Sequence, residues 1–318
     1  MALRQMGGRI ALIAWTGLIL GVVSGCQVTM PPEPELEGIS TVAPQPRAPS
    51  AESRAFSDYY ANVEQRLLAN GLLRTDGGGI DTPITHQMLA GNFERIALFD
   101  EYALTGGRFV QRETPSVLRR WSVPVRLQAH FGDSVRPAAR TRDRAQLTAY
   151  GRRLGRLTGH PISTVAEGGN FHVLYLNRDE QLDAGPLLQS LVPGIGPETV
   201  REITRLPRFT FCSVYAFSQA DARSDYITAI AIIRTEHPDL LRRSCVHEEI
   251  AQGLGLPNDS RAARPSIFND DEEFALLTRH DELLLRMLYD DRLRPGMDAE
   301  TARPIVERIA DELVGGAS

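Results

Sequence analysis

The 318-residue chain is expected to form an α+β domain preceded by a helical hairpin. Three observations carry that expectation. Apolar residues recur at helical spacing in several segments, and shorter runs alternate or stay continuously apolar as strands do. The order of these segments is strand, helix, strands, helix, loop, helix, which is not the regular alternation of a doubly wound sheet.

The chain opens with Arg4 and Arg9, runs apolar from Ile10 to Val23 and stops at Ser24-Gly25-Cys26. A short basic region, an apolar stretch and small residues before a cleavage point describe a signal peptide over residues 1–25. Val23-Ser24-Gly25-Cys26 resembles a lipobox, which implies a diacylglycerol on the Cys26 thiol and cleavage just before it. Acyl chains at Cys26 would anchor the protein to a membrane durably. Gln27, not Asp, follows the cysteine, which points to the periplasmic face of the outer membrane. Residues 26–52 read as a tether, with Pro31, Pro32, Pro34, Pro44, Pro46 and Pro49 and almost no large apolar residue. Such a segment buries too little to offset its ordering entropy. The net charge is −5, and removing residues 1–25 takes away two arginines and no acid, leaving −7. An acidic mature chain gives no global argument for nucleic acid. With Cys26 lipidated, Cys212 and Cys245 remain, an even pair that in an oxidising compartment forms a disulfide, the alternative being two buried thiols.

Residues 53–110 make the helical N-terminal region. Tyr59, Tyr60, Val63, Leu67, Leu68 and Leu72 define a first helix, and Met88, Leu89, Phe93, Ile96 and Leu98 a second between Pro83 and Tyr102. The main domain is read over residues 115–297, with a C-terminal helix or tail over 298–318. Trp121–Leu127 alternates as a strand, and residues 139–158 form an Arg-rich helix with Leu147, Tyr150, Leu154 and Leu157 on one side. Phe171–Leu176, Phe209–Phe217 and Tyr226–Arg234 are strands, the last near-continuously apolar and therefore central. A helix follows His237-Pro238 and ends near Gly253 or Gly255.

The chemistry concentrates in Cys245-Val246-His247-Glu248-Glu249-Ile250-Ala251-Gln252-Gly253-Leu254-Gly255-Leu256-Pro257-Asn258-Asp259. His247-Glu248 begins a zinc-protease HExxH, yet Ala251 stands where the second histidine belongs. Aligned instead on Gly253-Leu254-Gly255-Leu256, the run resembles the metzincin helix HExxHxxGxxH. Glu248 then takes the first histidine position, Glu249 the catalytic glutamate, Gln252 the second histidine and Asn258 the third. Pro265-Ser266-Ile267-Phe268-Asn269 resembles the tight methionine turn of that family, with Phe268 for methionine. Leu277-Thr278-Arg279-His280-Asp281 leading to Leu288-Tyr289 resembles its last helix. The resemblance implies a zincin (metzincin)-like fold with a mixed twisted sheet over an active-site-type helix. The C-terminal half also resembles domain of unknown function 2927, in its EExxQxLGLxND and SIFND patterns.

With every zinc ligand replaced, no metal and no cofactor is expected. Asn258 or Asp259 could return over Gly253 and Gly255 to Glu248 and Gln252, and these oxygen donors suit a hard divalent cation better than zinc. Without a Lewis acid, Glu249 cannot lower the pKa of a water far enough for peptide hydrolysis. The expectation is therefore a non-catalytic binding or assembly component of the envelope, with a peptide or protein partner held along an edge strand. Residues 170–177 are the candidate edge. The alternative is an unconventional metal-dependent hydrolase with Glu249 as general base among Glu248, Gln252 and Asn258.

Three further features take plainer readings. Leu191–Arg201 resembles the turn of helix-hairpin-helix modules but reads as a capped turn in an inserted loop, and no nucleic-acid partner is expected. The arginines from Arg136 to Arg156 read as a solvated helix face. His160, His172, His237 and His280 stand isolated in sequence and read as structural.

Overall fold

A computed structural model describes residues 48–105, 108–218, 224–269 and 271–315. The signal peptide, Cys26 and most of the tether lie outside the described residues. Among those described, no helix is long and apolar enough to cross a membrane.

The first elements among the described residues are α1 (Ala51–Ala69), capped by the Ser50 side chain, and α2 (His86–Ala97), capped by Thr85. An antiparallel pair follows, β1 (Phe99–Thr105) and β2 (Arg108–Pro115). The main sheet takes β3 (Val125–Phe131), β4 (Ile162–Val165), β5 (Phe171–Leu176), β6 (Cys212–Ser218) and β7 (Tyr226–Arg234). Its order is β4-β3-β5-β7-β6. All neighbours are parallel except β6, which runs antiparallel to β7. The expected α+β class with a mixed sheet is what the chain adopts.

The pleat divides the core in two. Phe171, Val173 and Tyr175 of β5 point into the main core, formed with α3 (Pro137–Thr158), α7 (Asp239–Gly253), α8 (Arg279–Leu288) and α9 (Ala299–Val314). Leu174 and Leu176, with Ile230 and Ile232 of β7, point the other way. That face is covered by α4 (Arg178–Leu182), α5 (Gly185–Leu191) and α6 (Pro197–Thr204). Burying both faces fits the near-continuous apolar runs of β5 and β7, interrupted by His172 in β5 and Thr228 in β7.

Two expectations need correction here. The helical hairpin does not form as a preface. α1 places Phe56, Tyr60 and Val63 against Leu241 of α7 and Phe211, whereas α2 places Leu89, Phe93 and Ile96 in the main core. The two apolar stripes match different surfaces, and a helical period cannot say which. The second correction concerns residues 170–177. Every residue of β5 is buried, and the strand lies between β3 and β7 in mid-sheet. The open edge beside α7 belongs to β6, whose residues are half-buried or exposed.

The strand expected from Trp121 begins only at Val125, because Pro124 has no amide to donate to a ladder. Trp121 instead packs on Phe171 and donates its indole N–H to Gly253 O at 2.8 Å, fixing the end of α7. The run 191–201 does turn between two short helices, α5 and α6, with Gly194 at φ 87°. Its Val192, Ile195 and Val200 pack on the second face of the sheet, a core role.

Candidate functional site

Leu241, Cys245, Ile250 and Ala251 of α7 are buried, and Gly253 lets the helix approach the sheet, since a Cβ there would lie 2.5 Å from the Phe171 ring and 3.0 Å from Val214. A disulfide between Cys212 and Cys245, with Cα atoms 5.8 Å apart, ties the start of β6 to the middle of α7. The expected pairing is thus present.

Between β6, α6 and α7 runs a groove of about 1390 Å³. Its floor is β6 itself, and its walls include Glu202 of α6 and Glu248, Glu249 and Gln252 of α7. Phe209, 74% exposed, stands at its rim. Glu248 is half-buried and Glu249 buried, and one carboxylate oxygen of each lies within 4.8 Å of the other and of Cys212 Sγ. Positions three and four apart on a helix share a face, so Cys245 and Glu249 line up, with Glu248 beside them. Across the strand, Tyr215 donates its hydroxyl to Glu202 at 3.1 Å. Burial raises the Tyr215 phenol above its ordinary range, and Glu202 adds to the effect; burial also raises Glu202.

The residues set at metzincin ligand positions do not all converge. Glu248, Glu249 and Gln252 line the groove, and Gln252 donates to Asp259 Oδ1 at 3.1 Å. Asn258 is 2% exposed and faces elsewhere, its side chain donating to Arg95 O at 2.9 Å and its amide to Ile96 O at 3.2 Å. Of the two residues that could return to the helix, Asp259 does so, because Asn258 is held by the end of α2. Among the described residues of the groove, the donors beside α7 are not those zinc prefers: the Cys212 sulfur is in a disulfide, and Gln252, Glu248, Glu249 and Asp259 offer only oxygen and amide groups.

His247 does not line the groove. Its ring stacks on Tyr150, centroids 4.0 Å apart, and its Nδ1 accepts from Leu277 N–H at 3.1 Å. Burial first, then Arg243 and Arg153, depress its pKa to about 3. It is a neutral core residue turned away from the groove.

Phe268 is fully buried in the main core. Its turn is held by Asp281 of α8, which accepts from Ser266 Oγ at 2.5 Å, Ile267 N at 3.1 Å and Thr278 N at 2.8 Å. Thr278 and Asp281 also form a reciprocal cap on α8. The segments 265–269 and 277–281, picked out separately in sequence, are therefore one hydrogen-bonded unit. Sequence reasoning missed Glu202, Tyr215 and Phe209, which lie on α6, β6 and the loop between them. It also missed His130, whose Nε2 lies 3.1 Å from His172 Nδ1. Neither pair has a local spacing signal, since each joins different elements.

A family model described as protein of unknown function (DUF2927) matches residues 86–308. The match opens at the first residue of α2 and closes within α9, the two helices that share the main core with α7. No curated protein and no solved structure matches the chain.

Proposed function

The chain belongs to the DUF2927 family, and from that premise we propose that it is an exported lipoprotein whose metzincin-like domain binds an extended peptide segment without cleaving it. The observation that carries the reading is β6, an antiparallel edge strand lying along an open groove beside α7. An edge strand leaves half its backbone N–H and C=O groups to pair outward, and an added strand satisfies them without any metal. The metzincin likeness is supported by α7 with its glycine exit, by the antiparallel edge strand, and by the turn 265–269 bound to Asp281. The non-catalytic reading is supported by Asn258, whose amide is spent on α2. The anchor at Cys26 and a place on the periplasmic face of the outer membrane are supported by the lipobox and Gln27. A peptide or protein partner in the envelope is the corresponding partner class.

One experiment tests the binding and the chemistry together. The full chain in detergent is mixed with a panel of blocked peptides, with and without divalent cations. Hydrogen exchange is then read over residues 212–218 and peptide integrity by mass spectrometry. Protection of β6 with every peptide intact is the expected result. Cation-dependent cleavage that Glu249→Gln abolishes would instead establish the hydrolase with Glu249 as general base.

A further inference from the structure

Charge is unevenly spread over this acidic chain. α3 with its cap, residues 136–158, carries seven arginines and one acid, and α8 carries Arg279 and Arg286 against Asp281 and Glu282. All three acids are engaged. Asp143 is buried and pairs with Arg142 and Arg242, Asp281 is buried in the cap of α8, and Glu282 pairs with Arg153. Arg136, Arg144, Arg152, Arg156, Arg279 and Arg286 are exposed, and among the described residues no acid pairs with them.

These arginines form one surface. Arg152 and Arg156, one turn apart, lie on the side of α3 opposite Leu147 and Leu154, which are in the main core. Arg279, Glu282 and Arg286 share the outward side of α8. Arg153 bridges to Glu282 at 2.7 Å and donates to Leu277 O at 3.1 Å, holding the two stripes side by side. Like charges four residues apart destabilise a helix, a cost that a solvated face avoids by interleaving acids and that an anionic surface also removes. The exposed large apolar side chains among the described residues lie on other elements, so the contact is with charged headgroups and not with acyl chains.

A second observation names the occupant. Pro49 and Ser53, where the tether meets α1, line a cleft of about 600 Å³ together with Arg136, Ala138, Ala139 and Arg142 from the start of α3. The tether thus enters the domain at the end of the Arg-rich helix. Residues 27–47 are all that separates Cys26 from this point, so an anchored domain meets its membrane at an effective concentration on the order of a millimolar. A weak surface affinity then suffices to seat it.

Resting on the proposed anchor at Cys26 for that proximity, we infer that α3 and α8 form the face that seats the domain on the anionic lipid headgroups of the membrane carrying the anchor. Guanidinium groups take phosphate oxygens in pairs, and their attraction to an anionic leaflet adds up residue by residue. α3 packs on β3 and β4, whereas β6 is the opposite edge of the sheet, so seating leaves the groove open.

The test mixes the purified full chain with vesicles of phosphatidylcholine or of a phosphatidylcholine–phosphatidylglycerol mixture. Flotation reads attachment, and dicarbonyl labelling of arginines, resolved by mass spectrometry, reads the seat. The chain should float with both. Labelling of Arg152, Arg156, Arg279 and Arg286 should slow about fivefold or more on the mixture alone. Arg205, exposed at the end of α6 on the other face of the sheet, should not change. Raising ionic strength from about 0.05 to about 0.5 M should restore labelling without detaching the chain. The triple variant Arg152→Gln, Arg156→Gln, Arg286→Gln should bring Arg279 on the mixture to within about twofold of its rate on phosphatidylcholine. An unchanged denaturant midpoint checks that its fold is intact. Flotation with no slowing would overturn the seat and leave membrane attachment standing. Slowed labelling on the mixture, with no flotation on phosphatidylcholine, would overturn the anchor and keep the seat. Equal slowing of Arg205, or slowing by a single-stranded polynucleotide as strong as that by the mixture, would also overturn a seat for lipid.

Discussion

Asp281 shows what one buried carboxylate can organise. It is fully buried and receives hydrogen bonds from Ser266 Oγ, Ile267 N and Thr278 N, so it joins the turn 265–269 to the start of α8. Removing it leaves those donors in a water-excluded site. Asp281→Ala should cost about 3 kcal/mol or more, read as a lowered denaturant midpoint at unchanged slope. His247 and His172 act in the opposite electrostatic sense. Burial holds His247 at about 3 and His172 at about 4, against an ordinary value of 6.5. Their unfolded forms bind protons more readily, so this contribution is complete above pH 6.5 and is lost as pH falls toward 4 and 3. Denaturant midpoints measured from pH 7 to pH 4 should fall, and His247→Gln should flatten the fall. A pH-independent midpoint would contradict the buried neutral state.

Placement of α7 depends on contacts that no helical period announces. Gly253 lies against Phe171 and Val214, so Gly253→Ala puts a methyl group where the ring already is. The expected loss is about 1–3 kcal/mol, measured by chemical denaturation. Gly255 has φ 129° and would drive a Cβ into Arg119 O, so Gly255→Ala should be at least as damaging. The Cys212–Cys245 disulfide closes a separation of 33 residues between edge strand and helix. The double variant Cys212→Ala, Cys245→Ala should lose about 3 kcal/mol and show faster hydrogen exchange over β6 than over β7. Both glycines and both cysteines were legible as important. The cysteines' pairing was legible too, but what the glycines touch was not, because Phe171 and Arg119 lie far away in sequence.

For the whole molecule, the decisive question is where the chain resides. If Cys26 carries the lipid, Cys26→Ala should abolish incorporation of labelled fatty acid and move the protein out of the membrane fraction. Continued membrane fractionation with no label on the wild type would count against the anchor. The expected β5, β7 and α7 fold at or within two residues of their anticipated bounds. The β1–β2 pair was not anticipated, since neither strand carries a run that stands out from its neighbours. The apolar stripe of α2 was visible, but its docking against α9 rather than α1 was not.

The sequence by itself determined the class of the longer helices and of β5, β6 and β7, the Cys212–Cys245 pair and the conjunction of Glu248, Glu249 and Gln252, because period, parity and helical spacing are local properties. Only the tertiary structure decided that the open edge is β6 and not residues 170–177, that Asp259 and not Asn258 returns to the helix, and that Glu202 and Tyr215 face the same groove. Those facts depend on strand order and on which surface each stripe covers. Side-chain alternation fixes which residues share a face, and it is silent on which strand becomes the sheet's neighbour or its edge.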